Sequence, residues 1–417
     1  MRMKKALLAA LCAGAAALTA CGGQDVLDIN RNIAISFSWW GKDVRHSYTI
    51  SAVKDFALQN PDIDVITRYG EFEAFQDKMY VTFAAHKECD VMQINYDWLY
   101  RFSPDGNGFY DLNELSGYID FSTFTEDELS YGMVNGKLNA ISNALNCETC
   151  YYNKEIYDKY GLELPSDWED LFEAAKIMSK DGVYPLELSR KAAWMLCIAY
   201  EEQHSGKHCY EGREVGFTAE QVKDMIMFYK RLVDEKVTKY HQDIGRYDFQ
   251  NGAAAGTVCW ISDAGYYCQP LIDAGMDIVV GNYLRLPASE LSGWYAKPTS
   301  MYCIKRDTAN PEAAAKLVDY LVNSHNMAKY QGLEKGIPLS SAMLEVLEAN
   351  DQLSGIQNDA NELLANTPSV GRVSPYLENV DLISAFDDAV QNVLYNGGNP
   401  EENAAMIYEA ACKVPEI

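Results

Sequence analysis

The feature that most restricts the fold of this chain is an ordered alternation of strand-like and helix-like hydrophobic patterns near its start. Apolar residues at every second position predict a strand over about 33–40, and apolar residues at helical spacing then predict a helix that stops before Asn60 and Pro61. A second strand, a second helix and a third strand at 91–94 follow. This βαβαβ order predicts an α/β fold with a mostly parallel sheet covered by helices.

Length and charge restrict the function. The chain has 417 residues, of which 48% are apolar, so it can form two or three domains without a disulfide or a metal. The formal net charge is −25, and it becomes −28 (32 basic against 60 acidic residues) without the three basic residues that precede Asp25. Such a surface repels nucleic acid, disfavours anionic ligands and fits a neutral sugar. We expect no nucleic-acid partner and no cofactor.

Residues 1–20 have the organisation of an export signal. A basic start is followed by an apolar stretch from Ala6 to Leu18, which is shorter than the roughly 20 residues that span a bilayer, and by a small-residue end. The sequence 18–21, Leu-Thr-Ala-Cys, resembles the lipobox of bacterial lipoproteins. The resemblance implies a lipid anchor on Cys21, a linker over 21–32 and a position on the extracytoplasmic face of the cell membrane. An ordinary signal peptide with a chance cysteine is the alternative.

Nine of the 11 cysteines remain once Cys12 and Cys21 are set aside, and most lie in apolar runs where a free thiol packs as a small hydrophobe. Cys147 and Cys150 have the spacing of a redox motif, but packing is the favoured interpretation. His204 and His208, with Cys209 beside them, have a spacing that a metal could use, and a surface loop is favoured there. No metal site is therefore predicted.

Aromatic residues mixed with polar ones follow each of the three predicted strands. The same mixture follows a fourth predicted strand at 257–261 and occurs again at 293–298. Ligands of open α/β sheets bind beyond the carboxyl ends of the strands. A single tryptophan more often packs in a core, but this recurrence favours a sugar site, because tyrosine and tryptophan offer a flat apolar face and a hydrogen-bonding tip.

Several short motifs, in this order, resemble those of the extracellular solute-binding lipoproteins of carbohydrate ATP-binding cassette (ABC) importers. The resemblance runs over nearly the whole mature chain and is specific in the order and spacing of the motifs. They are Phe37-Ser-Trp-Trp-Gly41, Asn60-Pro-Asp-Ile63, Cys89-Asp-Val-Met-Gln-Ile94, Asp111-Leu-Asn-Glu-Leu115, Tyr152-Asn-Lys154 with Tyr160-Gly-Leu162, Gly256-Thr-Val258 and Asn310-Pro-Glu-Ala-Ala314.

This resemblance implies a periplasmic-binding-protein-like fold, in which two lobes joined by hinge crossovers close on a ligand. The crossovers are expected near 140–146, 296–301 and 336–338. Lobe 1 is then 33–143 plus about 299–340, and lobe 2 is 144–298 plus about 341–417. The ligand-binding residues implied for lobe 1 are Trp39, Trp40, Asp43, Glu71, Asn95, Tyr96 and Trp98, with Arg45 and His46 as further neighbours. Those implied for lobe 2 and its edge are Asn146, Asp263, Tyr266, Trp294 and Tyr295.

The implied function is that of a monomeric substrate-binding lipoprotein that captures a sugar or oligosaccharide and delivers it to a membrane permease. No catalysis is expected, since no Gly-x-Ser-x-Gly, His-Glu-x-x-His or Walker motif occurs in the sequence. Carriers of a peptide or another small solute, a surface glycoside hydrolase and a polymer-binding adhesin are the alternatives.

Overall fold

A computed structural model of the protein describes residues 33–245 and 248–414. The predicted signal peptide, Cys21 and the predicted linker lie outside the described residues. The strands are β1 (Ile33–Trp40), β2 (Ile63–Gly70), β3 (Val91–Ile94), β4 (Met133–Val134), β5 (Lys137–Leu138), β6 (Ala140–Ser142), β7 (Leu145–Asn153), β8 (Glu187–Leu188), β9 (Tyr210–Glu211), β10 (Glu214–Val215), β11 (Gly256–Trp260), β12 (Ile278–Val280), β13 (Tyr295–Pro298), β14 (Met301–Ile304) and β15 (Gly371–Arg372).

Helices cover the sheets of both lobes. They are α1 (Asp43–Gln59), α2 (Phe72–Ala84), α3 (Tyr96–Phe102), α4 (Glu126–Ser130), α5 (Lys154–Lys159), α6 (Trp168–Met178), α7 (Arg190–Ser205), α8 (Ala219–Asp234), α9 (Ala264–Tyr267), α10 (Gln269–Asp273), α11 (Pro311–Asn323), α12 (His325–Gln331), α13 (Ser341–Ala349), α14 (Ile356–Ala365), α15 (Val380–Tyr395) and α16 (Pro400–Lys413). Short 3₁₀ helices lie at Leu112–Leu115, Phe121–Thr123, Ser179–Asp181, His241–Asp243, Ile261–Asp263 and Pro375–Glu378.

The sheet of lobe 1 has the strand order β2-β1-β3-β14-β6. β1 runs parallel to both β2 and β3, which confirms the βαβαβ prediction, and β14 is antiparallel to its two neighbours. Successive side chains of β1 point to opposite faces of the sheet. Phe37 and Trp39 pack into the core formed with α1, α11 and α12, whereas Trp40 points the other way, toward Phe75 of α2.

The sheet of lobe 2 has the order β15-β13-β7-β11-β8, and β12 also pairs with β7. β7 lies at its centre, so that Cys150, Tyr151 and Tyr152 are fully buried. Both Cys147 and Cys150 are free thiols in this core, and α7, α8, α15 and α16 pack together over the lobe. The two-lobe α/β fold expected from the sequence is confirmed.

The chain passes between the lobes through short segments that are bonded to one another. Asn143 and Ala144 join β6 to β7, and Thr299 and Ser300 join β13 to β14. The Asn143 side-chain oxygen accepts hydrogen bonds from the Ser300 amide at 3.2 Å and hydroxyl at 3.1 Å, and the Thr299 amide donates to the Ala144 carbonyl at 2.9 Å. Leu339 also donates its amide to the Asn143 carbonyl, which brings a third segment to the same place.

The third connection between the lobes lies further along the chain than was predicted from the sequence. α13 belongs to lobe 1, because Met343 and Leu347 are buried in the same core as Leu317 and the helix packs against α12. α14 packs against β12 and α9 of lobe 2. The boundary at residue 340 is therefore corrected to the segment 350–355. The segment 336–338 does touch the hinge, since Pro338 bridges to Ala144, but the chain then returns to lobe 1.

The Asp90 carboxylate connects β1, β3 and the loop that follows β14. It accepts hydrogen bonds from the amide and hydroxyl of Ser36 at 2.8 and 2.7 Å and from the Thr308 hydroxyl at 2.7 Å. Partial burial acts to raise the pKa of Asp90, but these hydrogen bonds outweigh it and lower the pKa.

We expect Asp90→Ala to lower the free energy of unfolding by about 1–3 kcal/mol at pH 7, because donors in the sheet lose their acceptor. A carboxylate whose pKa is lowered on folding contributes stability above its unfolded pKa of about 3.9, and this is lost as pH falls through its folded pKa. Urea unfolding at pH 7 and in acid should show the difference shrinking in acid. Glu345→Ala, at an exposed site on α13, is the control; an equal loss in both variants would contradict the assignment.

Candidate functional site

The facing surfaces of the lobes meet through charged and aromatic side chains. Arg372 of lobe 2 lies 3.8 Å from the ring centre of Tyr131 and donates a hydrogen bond to Ser130. On another part of the boundary, the Lys42 ammonium lies 4.7 Å from the ring centre of Tyr266. The 3₁₀ helix at 375–378 contacts α3. Side chains from both lobes therefore enclose the space between them.

Four side chains of lobe 2, which we call the cleft cluster, lie at this boundary. They are Lys191, Trp260, Lys297 and Glu378. Both lysine ammonium groups lie 2.5 Å from the Glu378 carboxylate, one on each oxygen, and that side chain is only 1% exposed. Burial acts to raise the pKa of Glu378, but the two cations overcome this and lower the pKa to about 2. Glu378 is therefore ionised and holds both cations in place.

The indole of Trp260 lies in contact with both cations. Its ring centre is 4.4 Å from the Lys297 ammonium and 5.1 Å from that of Lys191, distances typical of cation–π contacts. Trp260 is only partly buried at the end of β11. The cluster thus combines a partly exposed aromatic ring with two hydrogen-bond donors.

Two carboxyl groups with raised pKa values border the cleft cluster. Glu148 of β7 pairs with Trp260 in the sheet; its Oε2 is buried without a hydrogen-bond partner among the described residues. Burial, only partly offset by Lys191 and Lys297, raises its pKa to about 8. Burial and the Glu378 charge raise the pKa of Asp97, in the first turn of α3 of lobe 1, to about 6. Because α3 contacts the 3₁₀ helix that carries Glu378, Asp97 lies on the side of lobe 1 that faces the cleft cluster.

A second polar group comes from lobe 1. Arg45 forms a two-pronged ion pair with Glu334 at 2.9 and 3.0 Å, and Tyr48 donates to the same carboxylate at 2.9 Å. Lys335 is fully buried beside them and donates to the Tyr302 hydroxyl at 2.7 Å. Burial, together with the Arg45 charge, lowers the pKa of Lys335 to about 7.

Comparison with known proteins identifies the class. A family model described as bacterial extracellular solute-binding protein matches residues 51–361. The chain belongs to this family. None of the described helices is long and apolar enough to cross a membrane.

Three relatives of this solute-binding protein cover nearly all of it. A binding protein of Brucella abortus is 23% identical over 98% of both chains. An oligogalacturonide-binding protein of Yersinia enterocolitica, solved with saturated digalacturonic acid, is 29% identical with a TM-score of 0.84, over 92% of this chain and 99% of that one. A periplasmic solute-binding protein of Pectobacterium atrosepticum is 26% identical with a TM-score of 0.85, over the same shares. Two further solved chains of this fold, 28% and 29% identical, are described as designed esterases.

Most of the aromatic residues that the sequence analysis proposed as ligand contacts lie in the cores of the two lobes. Trp39 is fully buried and stacks on Tyr69 at 4.8 Å, and Trp98 is fully buried against Phe75. The others in this group are Trp40, Tyr96 and Trp294, each less than 9% exposed. Strand ends are places where a ring can turn inward as easily as outward, and here an adjacent helix covers it.

Some of the polar residues that were predicted to contact the ligand lie at the lobe boundary, and others lie inside one lobe or on its surface. Asn146 is buried and bonds to Ser262 through both ends of its amide, and the Tyr295 hydroxyl bonds to Glu202 and His208 inside lobe 2. Asn95 donates to Asp97 at 2.5 Å. Asp43 and Glu71 are exposed at the starts of α1 and α2.

Asp263 and Tyr266 face the boundary between the lobes. Tyr266 is 53% exposed and contacts Lys42. The Asp263 residue is also exposed, yet partial removal from water raises its pKa, against the charges of Arg45, Lys297 and Lys42. Arg45, which the sequence analysis gave as a further neighbour, comes from the opposite lobe. Of the proposed residues, Asp263 and Tyr266 thus face the opposite lobe.

The sequence analysis did not select the cleft cluster, Glu148 or Asp97. A signal along the chain existed for Lys297 and Glu148, because each is the one charged residue in its strand, β13 or β7, beside one of the first two crossovers. Lys191 and Glu378 lie 187 residues apart at the ends of two unrelated helical segments. No spacing along the chain links them.

Glu148→Gln tests the electrostatics of the site. Because burial raises the pKa of Glu148 to about 8, the folded state keeps a proton that the unfolded state releases near pH 4.3. That contribution to stability is present at low pH and is lost as pH rises to about 8. We expect thermal melts at pH 5 and pH 9 to show that the stability of the variant relative to the wild type is larger at pH 9. An equal difference at the two pH values would contradict the assignment.

Proposed function

We propose that this solute-binding protein captures an oligosaccharide between its lobes and delivers it to the permease of an ABC importer. The observation that carries the proposal is the partly buried Trp260 ring in contact with two lysine donors at the lobe boundary. A sugar ring presents C–H groups on its face and oxygen atoms around its edge. The indole suits the face, and the ammonium groups suit the edge.

The net charge of the whole chain favoured a neutral sugar. The two lysines of the cleft cluster instead favour a sugar that bears a carboxylate. Each ammonium group can donate to a ligand oxygen while keeping its contact with Glu378, since a lysine carries three donors. The raised pKa of Glu148 reduces the negative charge nearby at neutral pH. The oligogalacturonide bound by the Yersinia relative is a ligand of this class.

We propose that both lobes contact the ligand and that closure excludes water from it. Asp97 supplies a carboxyl from lobe 1 near the cleft cluster, and the Lys42–Tyr266 contact lies on the same boundary. The short crossovers at 143–144 and 299–300 give the lobes a hinge. A closed arrangement gives the permease a single surface to recognise.

The anchor and the absence of catalysis belong to the same proposal. The protein acts on the extracytoplasmic side as a monomer, held to the cell membrane by a lipid on Cys21, and it releases its ligand unchanged. The sequence at 18–21 supports the anchor. Intact-mass measurement of the native protein tests it, since lipidation would add acyl mass to a chain that begins at Cys21.

Trp260→Ala should weaken oligosaccharide binding at least about tenfold, or 1.4 kcal/mol, because a stacking face is lost. Ligands are first found by a thermal-shift panel of oligogalacturonides and neutral oligosaccharides, in which 100 times the dissociation constant stabilises by about 2.7 kcal/mol. Calorimetry then gives the affinities.

Tyr330→Ala, which removes an exposed ring on α12 away from the boundary, is the control and should bind as the wild type does. Unchanged affinity in Trp260→Ala would contradict the site. Appearance of shortened products during incubation would favour a glycoside hydrolase, and tighter binding of peptides than of any sugar would favour a peptide carrier.

A further inference from the structure

A second group of ligating side chains lies between the helices α7 and α8 of lobe 2. Glu201 and His204 lie on α7, and Asp224 lies on α8. One ligating atom from each residue lies within 4.8 Å of the other two. The spacing of three residues puts Glu201 and His204 on the same face of α7, toward the helix that carries Asp224.

The Glu201 carboxylate has no hydrogen-bond partner among the described residues, although its side chain is only 1% exposed. The nearest polar atom recorded is Nδ1 of His204, at 3.4 Å from Oε2, and the neighbouring hydroxyl of Ser205 donates instead to the Glu201 backbone carbonyl. Burying a carboxylate without partners is costly. His204 supplies a positive charge beside Oε2 only when it is protonated, and Oε1 has no recorded partner, so the Glu201 carboxylate can accept a metal ion.

The adjacent residue Glu202 shows the contrast. It is equally buried, but its carboxylate accepts the Cys209 amide at 2.8 Å and lies in hydrogen-bonding contact with His208 and Tyr295. Glu202 is thus a structural carboxylate with several partners. His208, which the sequence analysis considered together with His204, belongs to this structural group and faces away from Glu201.

We propose that Glu201, His204 and Asp224 bind a divalent first-row transition-metal ion such as zinc. Two carboxylates and one imidazole form a suitable three-ligand set, with oxygens and nitrogen about 2.0–2.2 Å from the ion and water completing the coordination. His204 is half exposed and Asp224 partly exposed, so both can move the short distance needed. The two negative charges match the ion, and burial of Glu201 is then compensated.

The proposed metal site lies away from the cleft. Lys191 of the cleft cluster lies on the first turn of α7, and Glu201 follows ten residues later, about 15 Å along the helix. An ion between α7 and α8 would join two helices of lobe 2 without contacting the sugar. The expected consequence is greater stability of the protein, and sugar affinity is a separate readout.

The test is a zinc titration of the chelator-treated protein, followed by calorimetry and by thermal melting. Wild-type protein should bind one Zn²⁺ and melt at a higher temperature with it, whereas Mg²⁺ should give no shift. Glu201→Gln and His204→Gln should each weaken zinc binding at least tenfold. Glu201→Gln should still fold, because glutamine keeps the shape and removes a buried charge.

His208→Gln and the exposed lobe 1 substitution His325→Gln are matched controls and should keep zinc binding. The proposal is overturned if the wild type shows no saturable zinc binding, or if the controls weaken it as much as His204→Gln does. Neither outcome affects the proposed sugar site, because the Trp260→Ala comparison is made in a chelating buffer.

Discussion

The ion cluster of Glu378 with Lys191 and Lys297 is the interaction on which the arrangement of the cleft depends. It joins β13, the start of α7 and the 3₁₀ helix at 375–378, three parts of lobe 2 that meet at the boundary. A buried carboxylate would be costly alone, and removing one lysine would leave charge uncompensated. The cluster therefore fixes where Trp260 and both ammonium groups stand, and α3 of lobe 1 packs against the element that carries it.

Charge in the cleft is balanced over short distances even though the whole chain is strongly acidic. Two lysines share one ionised glutamate, while burial moves the pKa values of Glu148 and Asp97 toward or beyond neutrality. The overall charge of −25 is therefore a poor guide to the ligand. The local set, with its two donors and a Glu148 carboxyl that is mostly protonated at neutral pH, is what a bound sugar would meet.

The regular parts of the fold were predictable from the sequence because they depend on local patterns. The alternation in β1 predicted the strand, and the βαβαβ order predicted its parallel neighbours. The boundary near residue 340 was wrong, because α13 follows a segment that touches the hinge and only its packing against α12 assigns it to lobe 1. Such a tertiary contact has no signature in the local pattern.

The site was less predictable than the fold for a physical reason. The same residue types that stack on sugars also fill cores, so Trp39 and Trp98 at strand ends lie buried whereas Trp260 does not. The charged groups that distinguish the two cases come from distant segments. Folding alone brings them together.

The central claim is that a sugar lies at the cleft cluster and is contacted by both lobes. A crystal structure of the protein with an oligosaccharide that stabilises it tests this most directly. We expect a sugar ring stacked on Trp260, with oxygens near Lys191 or Lys297 and a contact from Asp97 of the opposite lobe. A sugar bound elsewhere, such as in the cavity of about 210 Å³ beside Phe75 and Met79 of α2, with the cleft cluster untouched, would contradict it.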